Sequence, residues 1–298
     1  MSVPAAYLGV IVIWTTTPLA IKWSGEGSHF LFAVTARMFI GAVLSLVLLR
    51  ATRTPLPWHR KARHTYLTCG LGIYGAMTLT YWAAQHMPSG LISVIFGLAP
   101  IVTGLLAALL LGEKNLTPPK LLGMLFGLAG LAVVFGDGAI LEGRAAWGIA
   151  GVLAATLIHC ASAVWIKRIG AGIPALASTA GGVTVATVLL QTTWIALDTQ
   201  LPVEVTAKAA WSIVYLGMAG SVLGFSLYYF LLKHAEATKV ALITLITPVS
   251  ALLLGNRLNG EALTPGIVQG TGTILLGLVM FQYGENWLRR ARRVGGNP

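Results

Sequence analysis

Over 298 residues the chain is 56% hydrophobic and only 10% charged, with a mean hydropathy of +0.79. A soluble domain carries roughly 25% charged residues, so this chain is too poor in charge to cover a water-facing surface, which excludes the soluble enzyme classes. Its 20 basic and 9 acidic residues leave a net charge of +11, a balance that would suggest nucleic acid in a soluble protein but reads as topology in a membrane one.

A helix needs about 20 apolar residues to cross the hydrocarbon core. Ten such runs follow one another, near 4–23, 30–49, 65–86, 89–111, 118–136, 146–166, 174–196, 209–232, 239–256 and 265–284. They are apolar all round, without the alternation of a membrane barrel. No basic segment precedes the first, which is read as a retained helix and not as a cleaved signal. The expected fold is an all-α polytopic membrane protein of ten transmembrane helices.

In chain order, the first helix carries Trp14 with Thr15, Thr16 and Thr17, and ends at Lys22, whose long stem is expected to snorkel to the interface. The second holds Arg37 about a third of the way in, where helix carbonyls or a carboxylate across the bundle must satisfy it; a structural role is favoured over substrate contact. The third places Tyr74, Thr78 and Tyr81 on one face. The fourth contributes Ser93 and Phe96 before Pro100, and the ninth contributes Thr244 before Pro248. A mid-helix proline frees the carbonyl four residues earlier, so Pro100 and Pro248 are candidate hinges as well as candidate packing kinks. His159 lies near the middle of the sixth helix as a proton relay, a substrate donor or a satisfied core residue. The eighth repeats the spacing of the third in Ser221, Phe225 and Tyr228. These hydroxyls either line a pocket or bond across helices. Trp58, Trp147, Trp211 and Trp287 read as interfacial anchors. Gly123-xxx-Gly127 and Gly266-xxx-Gly270 read as close packing within the bundle or as a dimer contact.

With a cytoplasmic N-terminus, fifteen cations fall in cytoplasmic segments and three, Arg144, Lys208 and Arg257, outside. The positive-inside rule then places both termini in the cytoplasm.

The chain also resembles itself. The segment 81–100 overlies 229–248 at a shift of 148, matching Tyr81 with Tyr229, His86 with His234 and Pro100 with Pro248. The register continues to Gly112-Glu113 over Gly260-Glu261 and, after one deletion, sets Gly123 and Gly130 on Gly270 and Gly277. At a shift of 145, Ile21-Lys22 matches Ile166-Lys167 and Trp14 matches His159. Two five-helix repeats, 1–140 and 145–288, followed by a basic cytoplasmic tail at 289–298, are expected; an odd helix number inverts the second relative to the first.

The pattern from Tyr81 through Ala99-Pro100 to Leu111-Gly112-Glu113, with its copy at 229–261, resembles the EamA-type branch of the drug/metabolite transporter superfamily over nearly the whole chain. The resemblance implies ten helices around a cavity lined by helices 1, 3, 4, 6, 8 and 9, and bacterial export of amino acids and other small metabolites. The second repeat departs from the first in having Gly181-Gly182 where the first has Arg37, and Asn256-Arg257 before Gly260.

No motif for chemistry is present: no GxxxxGK[ST] loop, HExxH, CxxC or paired carboxylates within a span. Cys69 and Cys160 sit singly in apolar runs, so no disulfide framework, thiolate metal site or other cofactor is expected. The functional expectation is a secondary carrier in a bacterial inner membrane, exporting an amino acid or related small molecule by alternating access. Proton coupling through histidine, uniport, and a monomeric or homodimeric state all stay open. A lipid-linked carrier flippase and a non-transporting receptor or assembly factor are the rival classes; nucleic acid is not an expected partner.

Overall fold

The computed structural model describes residues 2–113, 116–136, 145–197, 201–202, 204–224, 226–227, 230–231 and 243–286, together with the backbone of 287–295. Among these residues the chain is helical and forms no strand. In order come α1 (Val3–Ser24), α2 (Phe30–Ala51), α3 (Arg60–Ala84), α4 (Ser89–Phe96), α5 (Ala99–Leu111), α6 (Pro118–Phe135), α7 (Ala145–Ile169), α8 (Ala175–Leu197) and α9 (Ala207–Tyr215). A π-helical segment (Leu216–Leu223) continues α9, and α10 (Ile243–Asn259) and α11 (Pro265–Gly295) complete the order.

The boundaries follow local chemistry. Pro118 opens α6 and Pro265 opens α11, where a missing N–H is harmless. Gly112 and Gly260 follow the last residues of α5 and α10 at φ +69° and +63°, a left-handed turn that glycine adopts without strain. His59 and Thr206 cap α3 and α9 by accepting from the Ala62 and Ala209 amides.

Seven spans among the described residues, with α4 and α5 taken together as one, are long and apolar enough to cross a membrane, and Ala207–Leu223 is a shorter apolar helix. α3 has the length, at 25 residues, but opens on Arg60, Lys61 and Arg63. The expected runs 209–232 and 239–256 extend into residues 232–242, outside the described residues. Leu8, Phe39, Leu109, Leu128 and Leu197 stand more than half exposed. An apolar surface of this kind has no place in water and suits lipid.

The expected single helix 89–111 is broken. Gly97 and Leu98 turn between α4 and α5, and Pro100 falls in the first turn of α5. Pro248, by contrast, lies within continuous helix in α10, and a Cβ on Gly97 would stand 3.4 Å from its ring. α1 carries its own internal proline, Pro18.

Packing rests on glycine. α6 and α11 run antiparallel, with Gly123 against Gly277 and Gly130 against Gly270; a Cβ on Gly123 or Gly130 would lie 2.6 Å from the facing carbonyl. The expected close packing of Gly123 and Gly127 is present, since a Cβ on Gly277 would meet Gly123 O at 2.6 Å and Gly127 N at 2.8 Å, and a seven-residue spacing extends it to Gly130 and Gly270. α3 lies close on α7 and α8 through Gly72 against Ser162 and Gly182 against Cys69. α2 meets the π-helical segment through Gly41 against Ser221 and Gly217 against Ile40.

Gly130→Leu should lower the melting temperature of the purified protein by the equivalent of about 1–3 kcal/mol, because the backbone it meets cannot yield. Gly272→Ala, which meets nothing within 4 Å, should leave it unchanged or slightly raised.

Candidate functional site

The densest polar cluster forms where α1, the α3–α4 turn and the end of α10 converge. The Glu261 side chain is 7% exposed and lies 3.4 Å from the Lys22 ammonium, which also donates to the Met87 carbonyl at 3.0 Å. Ser89 Oγ and the Gly90 amide, in the first turn of α4, donate to Glu261 Oε2 at 3.0 and 3.3 Å. Asn259 Nδ2 donates to Oε1 at 2.9 Å, and Asn256 Nδ2 donates to the Glu261 carbonyl at 2.7 Å. Trp23 Nε1 donates to Asn259 Oδ1 at 3.0 Å, closing the knot onto α1. A side chain at Gly255 would collide with the carboxylate. Burial raises the pKa of Glu261, but the Ser89 and Asn259 hydrogen bonds and the Lys22 charge outweigh it, so the carboxyl is held below its ordinary value. Lys22 is thus an internal partner of Glu261, and the expected snorkelling to the interface is replaced by this pairing.

A second ion pair joins Lys167, in the last turn of α7, to Glu113 beyond the end of α5, at 2.6 Å. The two side chains are 65% and 32% exposed, against 29% and 7% for Lys22 and Glu261. The α4–α5 arm begins at the Glu261 knot and runs 23 residues to Leu111, two residues before Glu113, ~35 Å at a helical rise.

Deeper in the bundle, Arg37 is 5% exposed. Its Nε donates to Ser221 Oγ at 3.4 Å; its Nη1 donates to Tyr81 Oη at 3.4 Å and approaches Met77 Sδ at 4.0 Å. Ser221 donates its own proton to the Leu216 carbonyl, five residues back in the π-helical segment.

The remaining sequence-predicted residues are brought into pairs rather than one stripe. Tyr74 reaches Thr193 on α8 at 2.8 Å, and since Thr193 donates to Leu189, the Tyr74 hydroxyl is the donor. Thr78 turns back to the Tyr74 carbonyl. Thr16 bonds the Val12 carbonyl and lies 2.5 Å from Tyr215, a partner that sequence pattern does not signal. Phe96 and His159 meet edge-on with ring centres 6.4 Å apart, bringing α4 and α7 together, while His159 keeps an exposed face. Thr244 accepts from Gln282 on α11 at 3.1 Å. Trp14 is half-buried on α1 beside Gly224, and Ser93 is half-buried on α4. Phe225 and Tyr228 lie outside the described residues. Trp58, Trp147 and Trp211 stand exposed, as interfacial anchors would. A surface pocket of about 670 Å³ at the C-terminal end of α2, lined by Leu46, Arg50, Arg53 and Leu56 among others, contains none of the predicted residues.

An apolar-surfaced helical bundle with buried charges and no group of metal-ligating side chains among the described residues belongs to the class of polytopic membrane proteins. The EamA-like transporter family model matches this sequence twice, over residues 3–136 and 146–283, and the chain belongs to that family. It is 27% identical over 278 residues to the uncharacterised transporter YoaV of Bacillus subtilis, covering 92% of this chain and 94% of that one. It is 25% identical to the uncharacterised inner membrane transporter YedA of Escherichia coli, covering 94% and 90%. To a protein of Streptantibioticus cattleyicolor named "Probable terminal-alkyne amino-acid exporter" it is 27% identical, covering 91% and 90%. A solved crystal structure 22% identical in sequence shares the fold at a TM-score of 0.65, over 94% of this chain and 97% of that chain.

Because its folded pKa is depressed, Glu261 contributes stability that is fully present above its unfolded value near 4.5 and is lost as pH falls through the lower folded value. Glu261→Gln should lower thermal stability at pH 7 by about 1–3 kcal/mol, the partial exposure of Lys22 moderating the effect. The gap between wild type and variant should close in melting curves recorded at successively lower pH below about 4. Glu113→Gln, at the exposed pair, should cost about 1 kcal/mol or less at any pH.

Proposed function

We propose that this protein is a secondary transporter that exports a small organic metabolite, an amino acid or related compound, across a bacterial inner membrane by alternating access. The chain would span the membrane ten times as two inverted five-helix repeats, 1–140 and 145–288, with a basic tail at 289–298 and both termini in the cytoplasm. The double family match, over 3–136 and 146–283, supports that division. Membership in a transporter family supports a small-molecule substrate, and the printed names of YedA and of the Streptantibioticus exporter support the inner membrane and an amino-acid-like cargo.

One observation carries the mechanism. Lys22 and Lys167 occupy matching positions in the two repeats, as do Glu113 and Glu261. The pairs that form are Lys22 with Glu261 and Lys167 with Glu113, so each lysine reaches the glutamate of the other repeat. Gly123 and Gly130, matched to Gly270 and Gly277, cross in the same way. Partner exchange between matching positions is what a two-fold axis in the membrane plane produces. It sets an equivalent closure at each end of the bundle, and alternately releasing the two would open the path to each side. Between them, Trp14, Thr16, Tyr74, Thr78, Tyr81, Ser93, Phe96, His159, Ser221, Phe225, Tyr228 and Thr244 are the proposed substrate-facing set, with Pro100 and Pro248 as hinges.

Proteoliposomes holding the purified protein should show counterflow of at least one labelled amino acid or related metabolite. Trp14→Ala and Tyr81→Ala should reduce that flux by about tenfold or more, as expected where an aromatic contact is lost from a binding site. Absence of flux across a broad metabolite panel would sink the reading.

A further inference from the structure

Arg37 holds a permanent positive charge that no described residue answers. A guanidinium cannot shed its proton, so burial cannot neutralise it as it would a lysine. Among the described residues no carboxylate comes within ion-pair distance. Its three contacts are a serine hydroxyl, a tyrosine hydroxyl and a thioether, all neutral and all long, at 3.4, 3.4 and 4.0 Å. Packing of the ring of Tyr81 adds a cation–π contact at 5.9 Å. Charge withdrawn from water with only such partners is unfavourable by several kcal/mol.

The unused hydrogen-bonding capacity around it is all of one kind. Nη2 makes no hydrogen bond among the described residues, leaving two N–H donors. Tyr81 accepts from Arg37, and its own hydroxyl proton has no acceptor among those residues. Ser221 has given its proton to Leu216 and can only accept. Gly220 packs against Nη2 so closely that a Cβ there would stand 3.2 Å from that nitrogen and crowd it. The backbone there is π-helical, an irregularity frequent at functional sites. Three spare donors and one net positive charge together describe a receptor for an anion.

Resting on the transporter reading above, we propose that Arg37, with the Tyr81 hydroxyl, binds the carboxylate of the transported molecule through Nη2, so that the cargo is a small organic acid or amino acid and not an amine or neutral solute. An N–H of Nη2 donating to a carboxylate oxygen forms a charge-assisted hydrogen bond, with the Tyr81 hydroxyl as a second donor. When substrate is bound, its carboxylate supplies the counter-charge that the fold leaves out, which ties occupancy to the packing of α2, α3 and the π-helical segment around this point.

The test uses purified full-length protein with a panel of L-amino acids and simple monocarboxylic acids, each paired with its amide. Thermal shift reports binding, and proteoliposome counterflow reports transport. At least one acid should raise the melting temperature and exchange across the membrane while its amide does neither. Arg37→Met should fold with an unliganded melting temperature equal to or above wild type, since a charge without a counter-ion has been removed. It should raise the half-saturating acid concentration about tenfold or more. Tyr81→Phe should weaken binding by a smaller factor in the same direction. Equal response to acid and amide, or an unchanged acid response in Arg37→Met, overturns the proposal. If Arg37→Met does not fold, the acid-against-amide comparison in wild type decides alone. Flux of amines or neutral solutes only would overturn the carboxylate assignment and leave the transporter reading standing, whereas no flux of any compound would overturn both.

Discussion

A charge withdrawn from water must meet its opposite within the protein, and the two buried charges in the described bundle meet that demand in different ways. Glu261 is given a lysine, a serine, an asparagine and a helix-terminal amide. Those partners come from α1, the start of α4 and the end of α10, so satisfying one carboxylate fixes the relative positions of three helices. Arg37 receives hydroxyls and sulfur but, among the described residues, no negative charge. On the proposed reading the first arrangement closes the path and the second binds cargo. Both follow from placing an ion where the dielectric is low.

The same economy governs the neutral contacts. Without a hydrophobic drive between helices in lipid, association rests on close approach and on hydrogen bonds across the bundle. Glycines at Gly123, Gly130, Gly270 and Gly277 bring the backbones of α6 and α11 together. Tyr74 with Thr193, Thr16 with Tyr215 and Thr244 with Gln282 then join other helix pairs. Where the first repeat sets Arg37 in its second helix, the second sets Gly181 and Gly182, which let α8 lie directly on Tyr66 and Cys69 of α3. A charged contact in one half is thus replaced by a steric one in the other.

Much of this was legible before any coordinates. Apolar run length sets where helices form, proline and left-handed glycine set where α5, α6, α10 and α11 begin and end, and the shifts of 145 and 148 already matched the lysines and glutamates that later proved to be partners. Sequence does not say that matching residues exchange partners across the repeats, because that depends on how two helix bundles dock. It also misdirected Lys22: a long stem near a helix end is expected to reach water, but the Met87 carbonyl and Glu261 lie within its reach. Tyr74, Thr78 and Tyr81 do share a helix face, yet they serve different neighbours, because α2 and α8 pack at different heights along α3. The break at Gly97-Leu98 required knowing that Pro100 combines with glycine on its N-terminal side, whereas Pro248 alone is absorbed in α10.

On the proposed reading the two closures are matched in position but differ in burial. Ser89 and Asn259 hydrogen-bond the Glu261 carboxylate and Asn256 its backbone carbonyl. Glu113 pairs with Lys167 where water competes, while Glu261 is withdrawn from it. An exposed pair contributes about 1 kcal/mol or less, and a buried, hydrogen-bonded one resists the loss of either partner more strongly. On the proposed alternating-access cycle, each ~1.4 kcal/mol by which one closure exceeds the other biases the resting population tenfold toward the state it closes. Cargo can reverse the bias only by binding the opposite state more tightly. On the proposed transport reading, opening the Glu261 end separates a carboxylate from Lys22, Ser89, Asn259 and the Gly90 amide together, and substrate binding must supply whatever that separation costs.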